Sequence, residues 1–378
     1  MLSKVYGQNR TGLLLSPSSL TALLIFHRSH PGMVCLCGRT ISNNMNTLLN
    51  HSTRTLSFHN WERFPVQQLY NDISAYNTFR SMITSLCHPT ANAAVDLLRC
   101  YFAGFLDEVK VANQEEENLA DFLTAQGVLF RPNVSERKFH MASALIDGLI
   151  RTNRIPSKFP NAPSTALPLC EDMRSLHLLN VLIESLKFFD KELIRLASSR
   201  SYKSAKVTIN GSSAVQVPRE SVYDTELMRI LSNWLGKYGW TVTSQWHLQT
   251  THRKHKYTDI VLQNRDDSPL VLELLATGDP GFVKSHIEKT PEHMALLSAD
   301  EAWVVHFTCQ DDYHPTWQSD AELQSGVNVV HFVHNLGFTE VSMSARWRNG
   351  AGSIQQVDRQ FLAVMYIIVI DYHHVPVV

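Results

Sequence analysis

The chain has 378 residues, with 34 Lys and Arg against 35 Asp and Glu, for a net charge of −1. That balance excludes a wholly basic nucleic-acid coat, and 44% hydrophobic with 18% charged residues excludes a mostly disordered chain. At about 100–200 residues per domain the length accommodates two or three domains.

The first ten residues are polar, so no ordinary signal peptide is expected. The longest apolar run, residues 361–370, is too short for the roughly 20 residues of a membrane helix, and no membrane partner is expected. Six scattered cysteines suit reduced thiols in a cytosolic or nuclear setting.

Residues 1–125 read as a mostly helical region, with a helix over 92–108. Gly7-Gln-Asn-Arg-Thr-Gly12 has the glycine spacing of a phosphate loop but lacks its Lys and hydroxyl, so it reads as chance and no ATP binding is expected. His27, His30, Cys35 and Cys37 are zinc-ligand types at a spacing of no common finger, and read as buried thiols and surface histidines. Residues 126–218 read as a connector. Prolines 156, 160, 163 and 168 exclude helix and central strand there, a helix is expected over 175–197, and Asn210-Gly211 is a turn pair.

Residues 219–350 read as an α/β domain. Asp224 and Thr225 are expected to cap a helix with the stripe Leu227, Ile230, Leu231, Trp234 and Leu235, ended by Gly236. Strands follow over 240–248, 258–262 and 270–275, the last two joined by the turn Asp266-Asp267-Ser268-Pro269. A helix over 282–297 and strands over 302–308 and 327–334 complete a mixed sheet, leaving 351–378 as a tail. Residues 198–265 carry ten basic against four acidic side chains, and residues 266–325 two against twelve. A basic flank for phosphates beside an acidic cation pocket gives this pattern, and so do two solvated faces.

The strongest constellation is Glu226, Asp259 and Glu273. Glu273 lies inside an apolar strand, where a carboxylate requires a cation, a donor or a proton. With Asp259 on the neighbouring strand and Glu226 on the packing helix, it would form an oxygen cage suited to Mg2+ or Mn2+. A structural Lys or Arg beside Glu273 is the alternative. His306, Cys309 and Asp311 have nucleophile chemistry, but His306 sits in a strand and reads as a core histidine that orients Glu273 or a phosphate.

Arg219-Glu-Ser-Val-Tyr-Asp-Thr-Glu-Leu, Tyr257-Thr-Asp-Ile-Val, Val271-Leu-Glu-Leu-Leu-Ala, His286-Ile-Glu-Lys and Asn328-Val-Val-His-Phe resemble the C-terminal domain of Crinkler effectors from fungi and oomycetes. So does the run from Leu297 to Cys309, and the likeness extends over residues 215–347. The resemblance implies a restriction-endonuclease-like domain of the PD-(D/E)xK type, behind a helical N-terminal region that would be the remnant of an ATPase module. It implies a metal-dependent DNA endonuclease delivered into host cells and their nuclei, or an inactive relative that binds DNA or a host nuclear protein. Glu226, Asp259 and Glu273 would be the metal-binding carboxylates. The position of the family's lysine holds Leu275, so Lys284, His286 or Lys289 from the following helix would supply the missing cation.

Arg253, Lys254 and Lys256 precede the Asp259 strand and would contact phosphates. Replacing all three with Ala is expected to weaken DNA binding on every sequence alike. The log–log salt slope should fall by about 0.9 for each lost duplex contact. A titration over salt concentration checks this, and an unchanged slope places DNA elsewhere.

Overall fold

The computed structural model describes residues 72–170, 175–199, 207–212, 215–249, 255–264, 267–349, 352–362 and 366–368, with short pieces at 14–15, 39–40, 43–44 and 55–56. Two compact units divide the chain: Met1–Lys158 with His247–Lys256, and Phe159–Trp246 with Tyr257–Val378. The division cuts the expected connector, 126–218, and the expected tail, 351–378, falls in the second unit. Gly7–Gly12 and the His27–Cys37 group lie outside the described residues.

In the first unit, helices Asn77–Cys87, Asn92–Tyr101 and Gln114–Ala125 accompany a three-stranded sheet in which Lys138–Met141 lies between Val109–Lys110 and Leu129–Phe130. Leu98, Phe102, Leu123 and Phe139 are buried in this unit. The helix expected over 92–108 stops at Tyr101 because Gly104 turns to φ +70° and its amide donates to Asp147 at 2.9 Å. Pro156 does enter a helix, the short Ile155–Lys158. The five-residue π turn Ile150–Arg154 before it disrupts the regular hydrogen-bond ladder where proline lacks its amide.

From residue 175 on the elements are α1 (Leu178–Leu186), α2 (Lys191–Ser199), α3 (Glu220–Leu235), β1 (Thr241–Gln249), β2 (His255–Gln263), β3 (Leu270–Ala276), α4 (Pro280–Leu297), β4 (Glu301–Thr308), α5 (Asp320–Gln324), β5 (Val327–His334), β6 (Glu340–Arg348), β7 (Ile354–Leu362) and β8 (Tyr366–Ile368), all in the second unit except the end of β1 and the start of β2. The eight strands lie side by side in chain order, in one mixed sheet. β3, β4 and β5 are parallel, β2 runs antiparallel to β3, and β6 to β8 continue antiparallel from β5.

The parallel centre is mostly apolar because both faces are covered, with Glu273, His306, His331 and His334 as its buried polar exceptions. On one face Val271, Leu275, Val304 and Val329 meet Val283, Ile287 and Met294 of α4. On the other, Tyr223 of α3 stacks on Phe307 with centroids 4.4 Å apart, and Phe189 packs beside Phe307 and Phe338. Gly326 aligns β5 with β4: at φ +95° its carbonyl accepts from the Ala302 amide, and a Cβ there would stand 2.2 Å from the Asp300 carbonyl oxygen.

Helix α3 begins at Glu220, so Asp224 and Thr225 lie inside it rather than capping it; Gly236 ends it as expected. It is buried around most of its circumference, between the sheet and helices α1 and α2. Glu226 is fully buried, and its carboxylate accepts from the Arg229 guanidinium at 2.8 Å and from the Asp190 amide at 3.0 Å. Arg229 also donates to the carbonyls of Phe159, Asn161 and Phe188. This knot breaks the helix expected over 175–197 into α1 and α2. The Phe188 carbonyl and Asp190 amide are spent on α3 instead of on a continuous helix.

Replacing Arg229 with Met leaves the buried Glu226 charge without its counter-ion and three carbonyls without that donor. The second unit's unfolding transition in urea is expected to lose about 3–5 kcal/mol, the range for breaking one side of a buried ion pair. A loss within the spread of surface substitutions would show that the knot does not hold α3.

Candidate functional site

β2 pairs antiparallel with β3, Val261 opposite Val271 and Ile260 opposite Leu272. The next residue of β2 is Asp259, whose carboxylate accepts from the Leu274 amide of β3 at 2.7 Å, beside Glu273. Glu273 is 4% exposed and sits between Val271 and Leu275 on the face covered by α4.

The α3 side chains near Asp259 are Glu220 and Asp224 rather than Glu226. Burial, then the charges of Glu220, Glu273 and Asp224, raise the Asp259 carboxyl well above the usual carboxylate range. Asp224 and Glu226 are two residues apart, about 200° around a helix, so they face opposite ways. Glu226 is thus committed to Arg229, and the acid pair reaching Asp259 is Glu220 with its i+4 neighbour Asp224. Placing the helix start at Asp224 hid that stripe.

From α4, His293 Nδ1 lies 2.7 Å from Glu273 Oε1. His286, Lys289 and His293 follow at i, i+3 and i+7, one stripe of the helix, with Phe282 against the His286 ring at 4.7 Å. Lys289 is exposed along this stripe. Lys284 is nine residues before His293, about half a turn away, and reaches Glu288 at 3.9 Å instead. Leu275 is fully buried in the core beneath α4. Arg253 and Lys254 lie outside the described residues, and Lys256 is described only as part of the β2 main chain.

His306 is not the histidine on Glu273. Its Nε2 accepts from the Gly278 amide at 3.3 Å, and its Nδ1 lies 3.1 Å from the Tyr313 hydroxyl. Tyr313 donates to His331 Nδ1 at 2.9 Å, and His331 Nε2–H donates to the Thr316 carbonyl at 2.9 Å. Burial pushes His331 down to about 4 and Tyr313 up to about 12, so both are neutral in the physiological range. Burial also pushes the Cys309 thiol up to about 12, which removes it as a nucleophile. Asp311 faces elsewhere, accepting from the Asn210 and Gly211 amides of the expected turn.

Among the described residues no group of three His, Cys, Asp or Glu side chains forms a ready metal cage. A divalent cation would relieve the crowding that raises the Asp259 carboxyl.

The raised Asp259 value has a sign that can be measured. The folded state holds the proton more tightly than the unfolded chain, so its contribution to stability is complete below the ordinary carboxylate value, about pH 4. It is lost as pH rises through the higher folded value. Asp259→Asn keeps an acceptor for Leu274 without the charge. Its melting temperature is expected to gain on wild type as pH rises from about 4 toward neutrality. Parallel melting of the two proteins over that range would rule out the carboxylate crowding.

No family model matches the chain. No curated protein matches it either. Among solved structures, the central domain of yeast acetyl-CoA carboxylase aligns with 89% of this chain and 48% of its own length, at 8% identity and a TM-score of 0.22. This chain thus spans about half of that one, and a likeness of that size carries no argument about fold or function.

Proposed function

We propose that the second unit is a metal-dependent deoxyribonuclease of the Crinkler type, acting on DNA inside a host cell. Asp259 and Glu273 would hold Mg2+ or Mn2+, with Glu220 and Asp224 adding negative potential from α3. The observation that carries this reading is the gathering of acids on Asp259: its carboxylate is fixed on the Leu274 amide next to Glu273, and its carboxyl is raised by burial and by the charges of Glu220, Glu273 and Asp224. The bound cation would supply a Lewis acid and a water of lowered pKa. To bind it, Asp259 must hold its carboxylate charge. Glu273 would supply oxygen from a rigid, fully covered strand. Lys289, with His286 on the same stripe, would stand toward the phosphate, and Lys284 would take no part. Arg253, Lys254 and Lys256 would carry the flanking duplex.

A second reading is favoured by Leu275. A fully buried leucine occupies the position of the lysine, as expected of a relative that binds DNA or a host nuclear protein without cutting. Purified full-length protein on supercoiled plasmid with Mn2+ or Mg2+ separates the two. Cleavage is expected from wild type and from Lys284→Ala. Asp259→Ala and Lys289→Ala should each lose about 100-fold or more, the scale for removing one electrostatic contact to a transition state. Retention of plasmid without cleavage would support the second reading. Cleavage surviving in repurified Asp259→Ala would remove the catalytic assignment.

A further inference from the structure

We infer that the first unit holds a binding site for a phosphate dianion, formed by Arg99, Arg151 and Arg154 in a seam between two helical segments. One segment is Asn92–Tyr101. The other runs from Ala144 to Lys158 and is α-helical except for the π turn Ile150–Arg154. Two contacts set them antiparallel. At one end Lys158 Nζ lies 2.6 Å from the Asp96 carboxylate and also donates to the Asn92 carbonyl. At the other the Asp147 carboxylate accepts from the Gly104 amide at 2.9 Å. The three arginines fall between these ends. Arg99 is three residues after Asp96, Arg151 four after Asp147, and Arg154 four before Lys158. Each therefore shares a helix face with a residue that reaches across the seam.

Arg99, Arg151 and Arg154 are buried, at 8%, 1% and 7% exposed. A guanidinium does not shed its proton, so burial leaves it charged and in need of oxygen acceptors. Among the described residues the carboxylates of the seam are Asp96 and Asp147, against four cations. Asp96 serves Lys158, and Asp147, already bound to Gly104, stands 3.7 Å from Arg151 Nη1. Arg154 Nε is buried without an acceptor, and Arg154 Nη1 meets the Ser157 hydroxyl only at 3.5 Å. Residues 1–71 hold six basic side chains and a single acid, Glu62, so the composition of the unit does not reverse this balance. The two positive charges in excess sit on planar forks of N–H donors, which match a doubly charged tetrahedral oxyanion. Arg151 and Arg154 lie within the π turn, a departure from regular helix that is frequent at functional sites. A seam between packed helices suits a free phosphate or the terminal phosphate of a small ester, not the backbone of a nucleic acid.

Equilibrium dialysis of labelled inorganic phosphate against the full chain, at constant ionic strength and above the second ionisation of phosphate, tests this. Wild type should bind saturably. Arg154→Gln should bind about 10–100-fold more weakly, the scale of one charge-assisted hydrogen bond. Arg80→Gln, an exposed position of the same unit, should bind like wild type. Asp147→Asn keeps an oxygen for Gly104 and removes a neighbouring negative charge, so it should bind about tenfold more tightly. Displacement of the label by phenyl phosphate would identify an ester as the occupant, and failure to displace it the free ion. Wild type that binds no phosphate overturns the site, and so does Arg154→Gln that folds and binds like wild type. An equal loss in Arg80→Gln would mark unspecific ion pairing and overturn it as well. Should Arg154→Gln fail to fold, Asp147→Asn decides, and an affinity no higher than that of wild type overturns the inference.

Discussion

A helix buried around most of its circumference must dispose of every charge it carries, and α3 does so in two opposite ways. Glu226 is matched within the helix by Arg229, and the surplus donors of that guanidinium are absorbed by three backbone carbonyls. The pair is closed, in the sense that charge and hydrogen-bonding capacity are both taken up. This closure fixes the height and rotation of α3, interrupts the chain between α1 and α2, and seats Tyr223 on Phe307. With the rotation fixed, Glu220 and Asp224 face β2, where they meet further carboxylates rather than a second arginine of the same kind. One side of the helix therefore stabilises the fold, and the other sets charge against charge at Asp259.

That repulsion falls on a carboxylate that is already fixed in place. The Asp259 side chain accepts from the Leu274 amide, which holds its charge against β3 beside Glu273. From the other face α4 contributes His293, and the single stripe through His286, Lys289 and His293 gives that helix one polar edge beside its apolar contact with the core. The remaining buried histidines, His306, His331 and His334, are different in kind. Each is held by hydroxyl, amide or carbonyl partners, and burial keeps His331 and His334 neutral.

Between Glu220 and His334 the longer helices and strands were legible from periodicity, but strands β6 to β8 and the short helix α5 were not, residues 351–378 having read as a tail. The helix after Asp279, the strands ending at Thr308 and His334, and the pair Asp259 with Glu273 all follow from apolar runs and their punctuation. What could not be read was which way each helical acid faces. Asp224 and Glu226 are equivalent in composition and in spacing to an apolar neighbour. Their separation depends on where the helix begins, and the sequence offered Asp224 itself as a cap. His293 had a signal, its seven-residue distance from His286, but nothing local joined it to a strand about 20 residues away.

By itself the sequence determined an α/β unit with a mixed sheet, and it determined that Glu273, a carboxylate inside an apolar strand, must find a polar partner there; the parallel centre is a finding of the structure. The tertiary structure decided who that partner is. Burial energy is set by composition and pattern, whereas the pairing of charges depends on helix rotation and strand register. Those were fixed by contacts among residues far apart in the chain: Arg229 on Phe159, Asn161 and Phe188, Asp259 on Leu274, and His293 on Glu273.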